Sequence, residues 1–384
     1  MKVSKFLFYL FAIVFFVFAV LFVDFSNYSM TDEEGGSRFW LMRVILLLDT
    51  VCLVIMLSYR SKLKGIHLVC FLWLLIMPVN LLLNNAPMAD IVRAVLWPFI
   101  FETTYLCCRN IVSRGVVLRR MYILLAIIGA LYFLRTRLGV DHQTNTIYFV
   151  YLTLPWLLFG SKKTPSIILM MIFTFLAMLS LKRSMLLSTV LVWAFYFLYG
   201  MENRRNRIFT ILFSLAIVVG IYMLYDRVDD RLGGLLTERV NKEETNTGRS
   251  REAIWEITAS MIQNSSIDKL IVGHGHFGVR RDSFLGISAH NDFLEVIYDY
   301  GIIIFILYLC LWWYVIRQAY RLYRKKSTVF IPYATSLSVF IVMSLVSHLI
   351  LYATYFNYLV MFWGMTEAIV EYDNEQKNQL KFIS

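Results

Sequence analysis

The chain has 384 residues, 59% of them are hydrophobic, and the mean hydropathy is +0.64. These values exclude a water-soluble globular protein of this length and indicate an integral membrane protein. The net charge of +11 does not require a nucleic-acid partner, because most Lys and Arg residues lie in connectors between apolar runs, where they determine membrane orientation. The five cysteines fall in or at the ends of apolar runs, so they predict neither disulfides nor a zinc site.

Twelve apolar segments follow one another along the chain, each close to the roughly 20 residues that cross a bilayer core. The first follows Lys2 and Lys5, but no cleavage site of small residues precedes Asp24, so we predict a retained span. The predicted spans are 6–23, 39–57, 66–83, 91–108, 121–134, 146–159, 167–181, 185–199, 208–224, 302–316, 329–346 and 349–370. We therefore predict an all-α fold, a polytopic transmembrane bundle of about 12 spans in which residues 1–384 form a single integral-membrane domain.

The distribution of charge predicts that both termini are cytoplasmic. With the N-terminus inside, every even-numbered connector is basic, for example the one that contains Arg321, Arg324 and Lys325, and cytoplasmic connectors retain positive charge during insertion. The longest outer segment is 226–289, between the ninth and tenth spans. We predict that 226–289 is an extracytoplasmic catalytic loop within the single domain.

Some Lys and Arg residues lie on the predicted outer side, where the preference for positive charge in cytoplasmic connectors does not explain them. Lys182, Arg183 and Ser184 form the whole connection between the seventh and eighth predicted spans. Arg43 and Arg93 lie near outer span ends and fit snorkelling to the headgroups, whereas an arginine at so tight a connection favours a functional role. Outer cations suit an anionic lipid headgroup, and diphosphate fits well because Arg presents a planar fork of donors.

An amphipathic helix is predicted within the outer loop, because apolar residues recur at helical spacing between positions 254 and 262. Arg249 and Arg251 lie at its start, close to backbone amides that also favour anions. A solvated helix end is the alternative interpretation of these two arginines.

Three glycines later in the loop, Gly273, Gly275 and Gly278, match the GxGxxG pattern of dinucleotide-binding folds. No βαβ unit surrounds them, so we exclude that fold and predict no cofactor. The glycines instead predict a tight turn that brings the backbone and Arg280 or Arg281 close to a ligand.

The histidines of the loop raise the possibility of a metal site. His274 and His276 alternate in a way that suits a strand, and no fourth ligand accompanies them and His290. We therefore predict no metal. His290 is placed at or near a helix N-terminus, where the helix dipole disfavours the imidazolium and keeps a neutral base near pH 7.

A helical projection of the segment after His290 predicts two different faces. One face holds His290, Leu294, Ile297 and Gly301, and the opposite face holds Asp292, Glu295 and Asp299. The projection predicts that the histidine points inward and the carboxylates outward. A cap or a packed polar residue is the alternative role for this histidine.

These motifs together resemble the O-antigen ligase and O-antigen polymerase superfamily, bacterial integral-membrane transferases that act on undecaprenyl-diphosphate-linked glycans. His290, Asn291 and Gly301 match a pattern of His, then Asn, Ser or Gln, then nine residues and Gly. Gly273 and Gly275 match an upstream Gly-x-Gly turn. The connection at 182–184 approximates a Ser-Arg pair of the family.

Two departures from the family's pattern matter. Gly248 and Arg249 are adjacent, but Arg251 is the arginine four residues before Trp255, so the family's GR-x-x-x-W pattern does not decide between the two arginines. The ligase signature continues Gly-x-x-Gly-Thr, whereas Gly301 is followed by apolar residues. This second departure favours a polymerase.

The resemblance implies a metal-independent glycosyl transfer at the outer face of the bacterial inner membrane. His290 would be the base, and Arg183, Arg249 or Arg251, with Arg280 or Arg281, would hold the diphosphate. The implied partners are lipid-linked glycans, membrane lipid, a flippase and a chain-length regulator. An O-antigen ligase is the near alternative to the polymerase.

Two alternative functions from other classes of membrane protein stay open. A transporter of lipid-linked sugars typically contains internal repeats and broken spans, and neither pattern is convincing in this chain. A sugar transferase with an acidic base in the first outer loop could use Asp32, Glu33 or Glu34, which otherwise form a solvated loop.

Overall fold

The computed structural model describes residues 5–22, 37–57, 65–109, 112–138, 145–160, 163–180, 182–200, 208 and 251–383. These residues form fourteen α-helices and no strands, which confirms the predicted all-α class. The helices are α1 Lys5–Leu21, α2 Ser37–Leu57, α3 Ile66–Leu83, α4 Met88–Cys108, α5 Val112–Leu138, α6 Ile147–Leu158, α7 Lys163–Ser180, α8 Arg183–Phe195, α9 Arg251–Gln263, α10 Ile267–Val272, α11 Gly278–Asp282, α12 Asp292–Arg324, α13 Phe330–Val346 and α14 Ala353–Ile383. A π-helical turn, Tyr196–Gly200, extends α8.

Four of the described helices are long and apolar enough to cross a membrane: Ile66–Leu83, Met88–Cys108, Ser113–Leu138 and Asp292–Arg324. Five shorter apolar helices accompany them. The chain is therefore a membrane protein. A helix occupies each predicted span except 208–224, most of which lies outside the described residues, as does the first part of the outer loop, 226–250. The number of twelve spans stays a prediction.

Helix α4 lies at the centre of the bundle and packs most extensively against α14. Gly364 allows this approach, because a Cβ atom there would lie 2.6 Å from the carbonyl oxygen of Phe101. Small residues let membrane helices pack closely in this way. Aromatic rings fill the space beside α4 and α14, and Tyr122 stacks on Trp156 with ring centroids 4.2 Å apart.

Several chain segments meet at one end of the bundle. Trp255 of α9 donates a hydrogen bond of 3.0 Å to the carbonyl of Ala289, just before α12. The side-chain amide of Asn291 donates a hydrogen bond to the backbone carbonyl of Leu345 near the end of α13 (3.2 Å). Lys182, between α7 and α8, lies over the ring of Tyr148 in α6, 5.8 Å from its centroid. Residues far apart in sequence thus surround one site.

Candidate functional site

His290 occupies a strained position immediately before α12. Its φ is 54°, in the left-handed region that few residues other than glycine adopt. Asn291 is the N-cap of α12, and its side chain accepts hydrogen bonds from the amides of Phe293 and Leu294. The His290 amide donates to a carboxylate oxygen of Glu295 (3.0 Å). Such strain persists where surrounding contacts determine it, and it is concentrated at functional sites.

The predicted faces of this segment are wrong. Asp292, Glu295 and Asp299 are all completely buried, although the projection places them outward. His290 is not part of the helix, because α12 begins at Asp292. Backbone amides stabilise the buried carboxylates: Asp292 accepts from Leu349, and Asp299 accepts from Val279, each at 2.8 Å. These residues hold the connection before α14 and helix α11 against α12.

His348 is a second histidine of the site, and it is not among the residues predicted from the sequence. It lies between α13 and α14, and its ring stacks on that of His290 with centroids 4.6 Å apart and planes at 22°. The His348 ring also stacks on that of Tyr352, with centroids 4.5 Å apart. No motif marks His348. The only signal in the sequence is a lone histidine at the predicted outer end of an apolar span.

Three cations act on the two histidines, and Arg183 acts on one of these cations, Arg251; we call Lys182, Arg183, Arg251 and Arg280 the cation cluster. Lys182 and Arg251 act electrostatically on both histidines, and Arg280 acts on His348. Arg251 and Arg183 lie close enough for their like charges to interact. Helix α9 positions Arg251 through Trp255, which is one helical turn further on and is anchored at Ala289.

Both histidines are neutral at physiological pH in this environment. Burial is the largest cause of a pKa of about 3 at His290, and the neighbouring His348 and cations add to the shift. Burial likewise lowers the pKa of His348 to about 3, with contributions from Lys182, Arg251 and Arg280. Desolvation and nearby like charge both disfavour the imidazolium.

The Gly-x-Gly turn packs directly on a kink in α12. Gly273 and Gly301 have φ of 84° and 76°, and a Cβ atom on Gly301 would lie 2.2 Å from the carbonyl oxygen of Ile271. The Gly275 amide donates to the carbonyl of Asp299 (2.8 Å). The glycines therefore allow two backbones to touch. Their close partner in the structure is α12, and the approach of this turn to a ligand stays a prediction.

Asn80, near the end of α3, forms hydrogen bonds to both sides of the contact between the Gly-x-Gly turn and the kink in α12. Its buried amide donates to the carbonyl of Tyr300, just before the kink (2.9 Å), and to the carbonyl of Val272, just before the turn. Lys269 donates to Asn84, one turn along α3 (2.8 Å). These bonds fix the loop helices against the bundle.

The two neighbouring arginines of α11 differ. Arg281 donates to the Asp282 carboxylate (2.9 Å) and to the carbonyl of His274 (2.7 Å), and the structure does not bring it to the histidine pair. The Asp282 hydrogen bond raises the pKa of the Arg281 guanidinium. Arg280 acts on His348 instead. The diphosphate-binding role predicted for Arg281 stays a prediction, and in the structure its guanidinium contacts Asp282 and the carbonyl of His274.

The other predicted residues have separate contacts or lie outside the described residues. His274 stacks on Tyr298 with centroids 3.9 Å apart, and His276 hydrogen-bonds the hydroxyl of Tyr300. Within the described parts of the chain, no group of three His, Cys, Asp or Glu residues could hold a metal ion. Arg249 and the acidic residues 32–34 lie outside the described residues.

This arrangement suits two chemical tasks. Guanidinium and ammonium groups from three separate elements can neutralise a multiply charged anion. A neutral imidazole next to that anion can accept a proton from a hydroxyl group. A charged lipid headgroup and a sugar hydroxyl would meet these requirements together.

Residues 168–309 match the family model described as O-antigen ligase. The matched segment runs from α7 to α12 and contains every member of the cation cluster and His290, while His348 lies beyond it. No curated protein matches the chain. The family match confirms the resemblance that the motifs indicate: this chain is similar to the O-antigen ligases within the superfamily of O-antigen ligases and polymerases, membrane proteins with glycosyltransferase-like activity.

Proposed function

We propose that this protein is a polymerase that joins oligosaccharide repeat units carried on undecaprenyl diphosphate into a surface polysaccharide. The observation that carries the proposal is the convergence of the cation cluster on the stacked His290 and His348 rings. A diphosphate supplies the negative charge that such a cluster attracts. A glycan supplies the hydroxyl group that a neutral histidine can deprotonate.

In the proposed reaction, a hydroxyl oxygen of the acceptor glycan attacks the anomeric carbon of the donor. The new C–O bond forms while the bond from the anomeric carbon to the diphosphate oxygen breaks, and that oxygen keeps the electron pair. His290 accepts the hydroxyl proton. Arg183, Arg251 and Arg280 hold the diphosphate and neutralise the developing charge.

The cation cluster makes a metal ion unnecessary in this mechanism. Metal-dependent transferases use a divalent cation to neutralise the leaving diphosphate, and Lys182 with the three arginines provides that charge instead. We expect transfer rates to be equal in EDTA and in Mg²⁺. A rate that falls at least tenfold in EDTA and recovers with a divalent cation would contradict the metal-independent mechanism.

The proposed location is the outer face of the bacterial inner membrane, with both termini in the cytoplasm. The site lies at the end of α12 opposite to the basic stretch that contains Arg321 and Arg324, and that stretch is predicted to be cytoplasmic. A flippase that delivers the donor and a protein that regulates chain length are the partners we propose.

A ligase that transfers the finished polysaccharide to lipid A-core is the second candidate, and the family match supports it. The apolar sequence after Gly301, in place of the ligase continuation, supports the polymerase. The two differ only in the acceptor. Purified protein should therefore be given a lipid-diphosphate repeat unit with either a second repeat unit or lipid A-core as the acceptor.

Lengthened lipid-linked products with the first acceptor support the polymerase. Products formed only with lipid A-core support the ligase, and the absence of transfer to both acceptors contradicts the proposed function. A gene deletion gives an independent result, since loss of a polymerase leaves single-repeat caps and loss of a ligase leaves bare core.

A further inference from the structure

One exposed face of α12 changes in chemical character along the helix. In its first part, this face presents the apolar side chains Ile302, Ile306 and Leu309. Further on, it presents aromatic and cationic side chains in alternation: Trp313, Arg317, Tyr320 and Arg324. At 3.6 residues per turn, all seven project within about 80° of one another. We call the last four residues the aromatic–basic stripe.

The aromatic–basic stripe is open in the part of the chain that the structure describes. Trp313 is 67% exposed and Tyr320 is 58% exposed, and the two arginines are exposed as well. The opposite face of the same helix is buried in the bundle through Leu311, Val315 and Leu322. Exposed Trp and Tyr side chains of membrane proteins are enriched at the boundary between hydrocarbon and water. The stripe therefore begins near the edge of the hydrocarbon core.

The spacing of the two arginines suits a single phosphate group. The preference for cytoplasmic positive charge accounts for cations after a span, but it does not depend on the helix face that they occupy. Arg317 and Arg324 lie on either side of Tyr320, about 5 and 6 Å from it along the helix axis. Arg321, which projects from another face, donates to the side chain of Gln318 (3.4 Å). Both stripe guanidinium groups can therefore reach one phosphate beside the Tyr320 ring.

We propose that the aromatic–basic stripe binds an anionic glycerophospholipid, with Arg317 and Arg324 on its phosphate. The order of side chains along α12 matches the parts of such a lipid. The apolar residues before Trp313 contact the acyl chains, the two aromatic rings lie at the interface, and the arginines reach the headgroup. Cations clustered next to a membrane span attract lipids of net negative charge. The stripe lies at the end of α12 opposite to His290, so this proposal does not depend on the proposed function.

A comparison of two lipids tests the proposal on the full-length protein in detergent. Dioleoyl phosphatidylglycerol and dioleoyl phosphatidylcholine have the same acyl chains and differ in the net charge of the headgroup. Native mass spectrometry over a titration of each lipid gives its affinity. We expect phosphatidylglycerol to bind at least about tenfold more tightly than phosphatidylcholine. The preference should decrease as the salt concentration rises, because salt screens exposed charges.

A pair of double variants locates the site. Arg317→Gln with Arg324→Gln should weaken the binding of phosphatidylglycerol by about 30-fold, about fivefold for each cation, and should leave the binding of phosphatidylcholine unchanged. Arg120→Gln with Arg135→Gln is the matched control, because it removes two exposed arginines from α5. The control should keep the affinity of the parent for both lipids.

The contribution of the rings is measured with Trp313→Leu and Tyr320→Leu together. This variant should bind both lipids more weakly while it keeps the preference for phosphatidylglycerol, because the rings contact the interface rather than the headgroup charge. Loss of the preference itself would contradict the separate roles of rings and arginines.

Three results would overturn the proposal. The first is a parent protein that binds phosphatidylcholine as tightly as phosphatidylglycerol, or neither lipid, and this comparison needs no variant. The second is an equal loss of phosphatidylglycerol binding in the stripe variant and in the α5 control, which would assign the effect to net charge. The third is displacement of the lipid by sodium phosphate but not by potassium chloride of equal ionic strength, which would identify a site for free phosphate.

Discussion

The two ends of the bundle both contain buried or half-buried histidines with charged neighbours, but the charges differ in sign. At one end, Nδ1 of His67 lies 2.9 Å from both carboxylate oxygens of Glu102, and Glu367 and Glu371 are close by. At the other end, the described groups that act electrostatically on His290 and His348 include the cations Lys182, Arg251 and Arg280. The first arrangement is electrostatically satisfied by the protein itself.

The difference teaches that a histidine surrounded by like charge is the one to examine for function. A histidine paired with a carboxylate stabilises the fold, whereas cations gathered around neutral imidazoles cost folding free energy unless an anion joins them. Arg109 and Tyr105 extend the satisfied end, because both contact Glu371. The cation cluster fits the anionic ligand of the proposed function.

The largest expected effect is a loss of transfer activity, and it should distinguish the histidines at the two ends of the bundle. His290→Ala should lower the rate of transfer by about 10²–10⁴-fold, the range expected for loss of a general base, and should leave the melting temperature within a few degrees of the parent. The transfer assay with a lipid-diphosphate donor measures the first quantity, and thermal unfolding in detergent measures the second.

The matched variant at the other end is His67→Gln. It should lower the free energy of unfolding by about 1–3 kcal/mol, because Glu102 loses its buried partner, while the folded protein keeps its transfer rate. If both variants affect transfer equally, the distinction between a functional and a structural histidine is wrong.

A second prediction concerns the close approach that supports the site. Gly301→Ala should destabilise the protein strongly, since the new Cβ atom would lie 2.2 Å from the carbonyl oxygen of Ile271 in addition to the strain at φ 76°. Gly286→Ala is the control, because Gly286 also has positive φ (62°) but has no atom within 4 Å of the added Cβ. It should cost only about 1–3 kcal/mol, the strain term alone.

Thermal unfolding of both glycine variants measures the difference. The contact between the turn and the kink is essential only if Gly301→Ala loses clearly more stability than Gly286→Ala. Equal losses would mean that backbone strain alone requires these glycines.

A third prediction separates the arginines. Arg251→Gln should lower kcat/KM by about 10–100-fold, because charge-assisted hydrogen bonds contribute about 1.5–3 kcal/mol each, and Arg251→Lys should recover part of the loss. Arg281→Gln should change kcat/KM by less than about threefold, since Arg281 is already paired with Asp282. A larger loss of kcat/KM in Arg281→Gln than in Arg251→Gln would indicate that the diphosphate binds at Arg281 rather than at the cation cluster.

The smallest expected effect is a shift in pH dependence. The pKa of His290 is lowered to about 3, so the histidine is neutral above that pH, and kcat/KM should not fall as the pH decreases from about 7.5 to about 5.5. Arg251→Gln removes a cation that lowers this pKa, so its acid limb should move to higher pH. An acid limb near pH 6.5 in the parent would show that His290 titrates as it does in an unfolded chain.

Much of the helical framework was predictable from apolar run length alone. The predicted span 66–83 coincides with α3, and the amphipathic pattern at 254–262 corresponds to α9, Arg251–Gln263. The connection before α8 was predicted only in part: Lys182 precedes α8, but Arg183 and Ser184, which were predicted to lie in the connection, belong to α8. These features depend on local periodicity and length, which a single sequence contains.

The content of the site was only partly predictable, and the errors have physical causes. The carboxylates of α12 were predicted to face solvent because charged side chains usually do. Asp292 and Asp299 are instead buried, and they accept hydrogen bonds from the backbone amides of Leu349 and Val279. His348 meets His290 through packing of the connection before α14 against the start of α12. Local sequence patterns do not predict such a tertiary contact.

The most direct test of the central claim is the position of a bound donor analogue in an experimental structure. With P1-farnesyl-P2-glucosyl diphosphate bound, we expect both phosphates within hydrogen-bond distance of Arg251 and at least one of Arg183 and Arg280, with the glucosyl ring toward His290. Diphosphate density beside Arg281, or at the end of the bundle that contains His67, would contradict it.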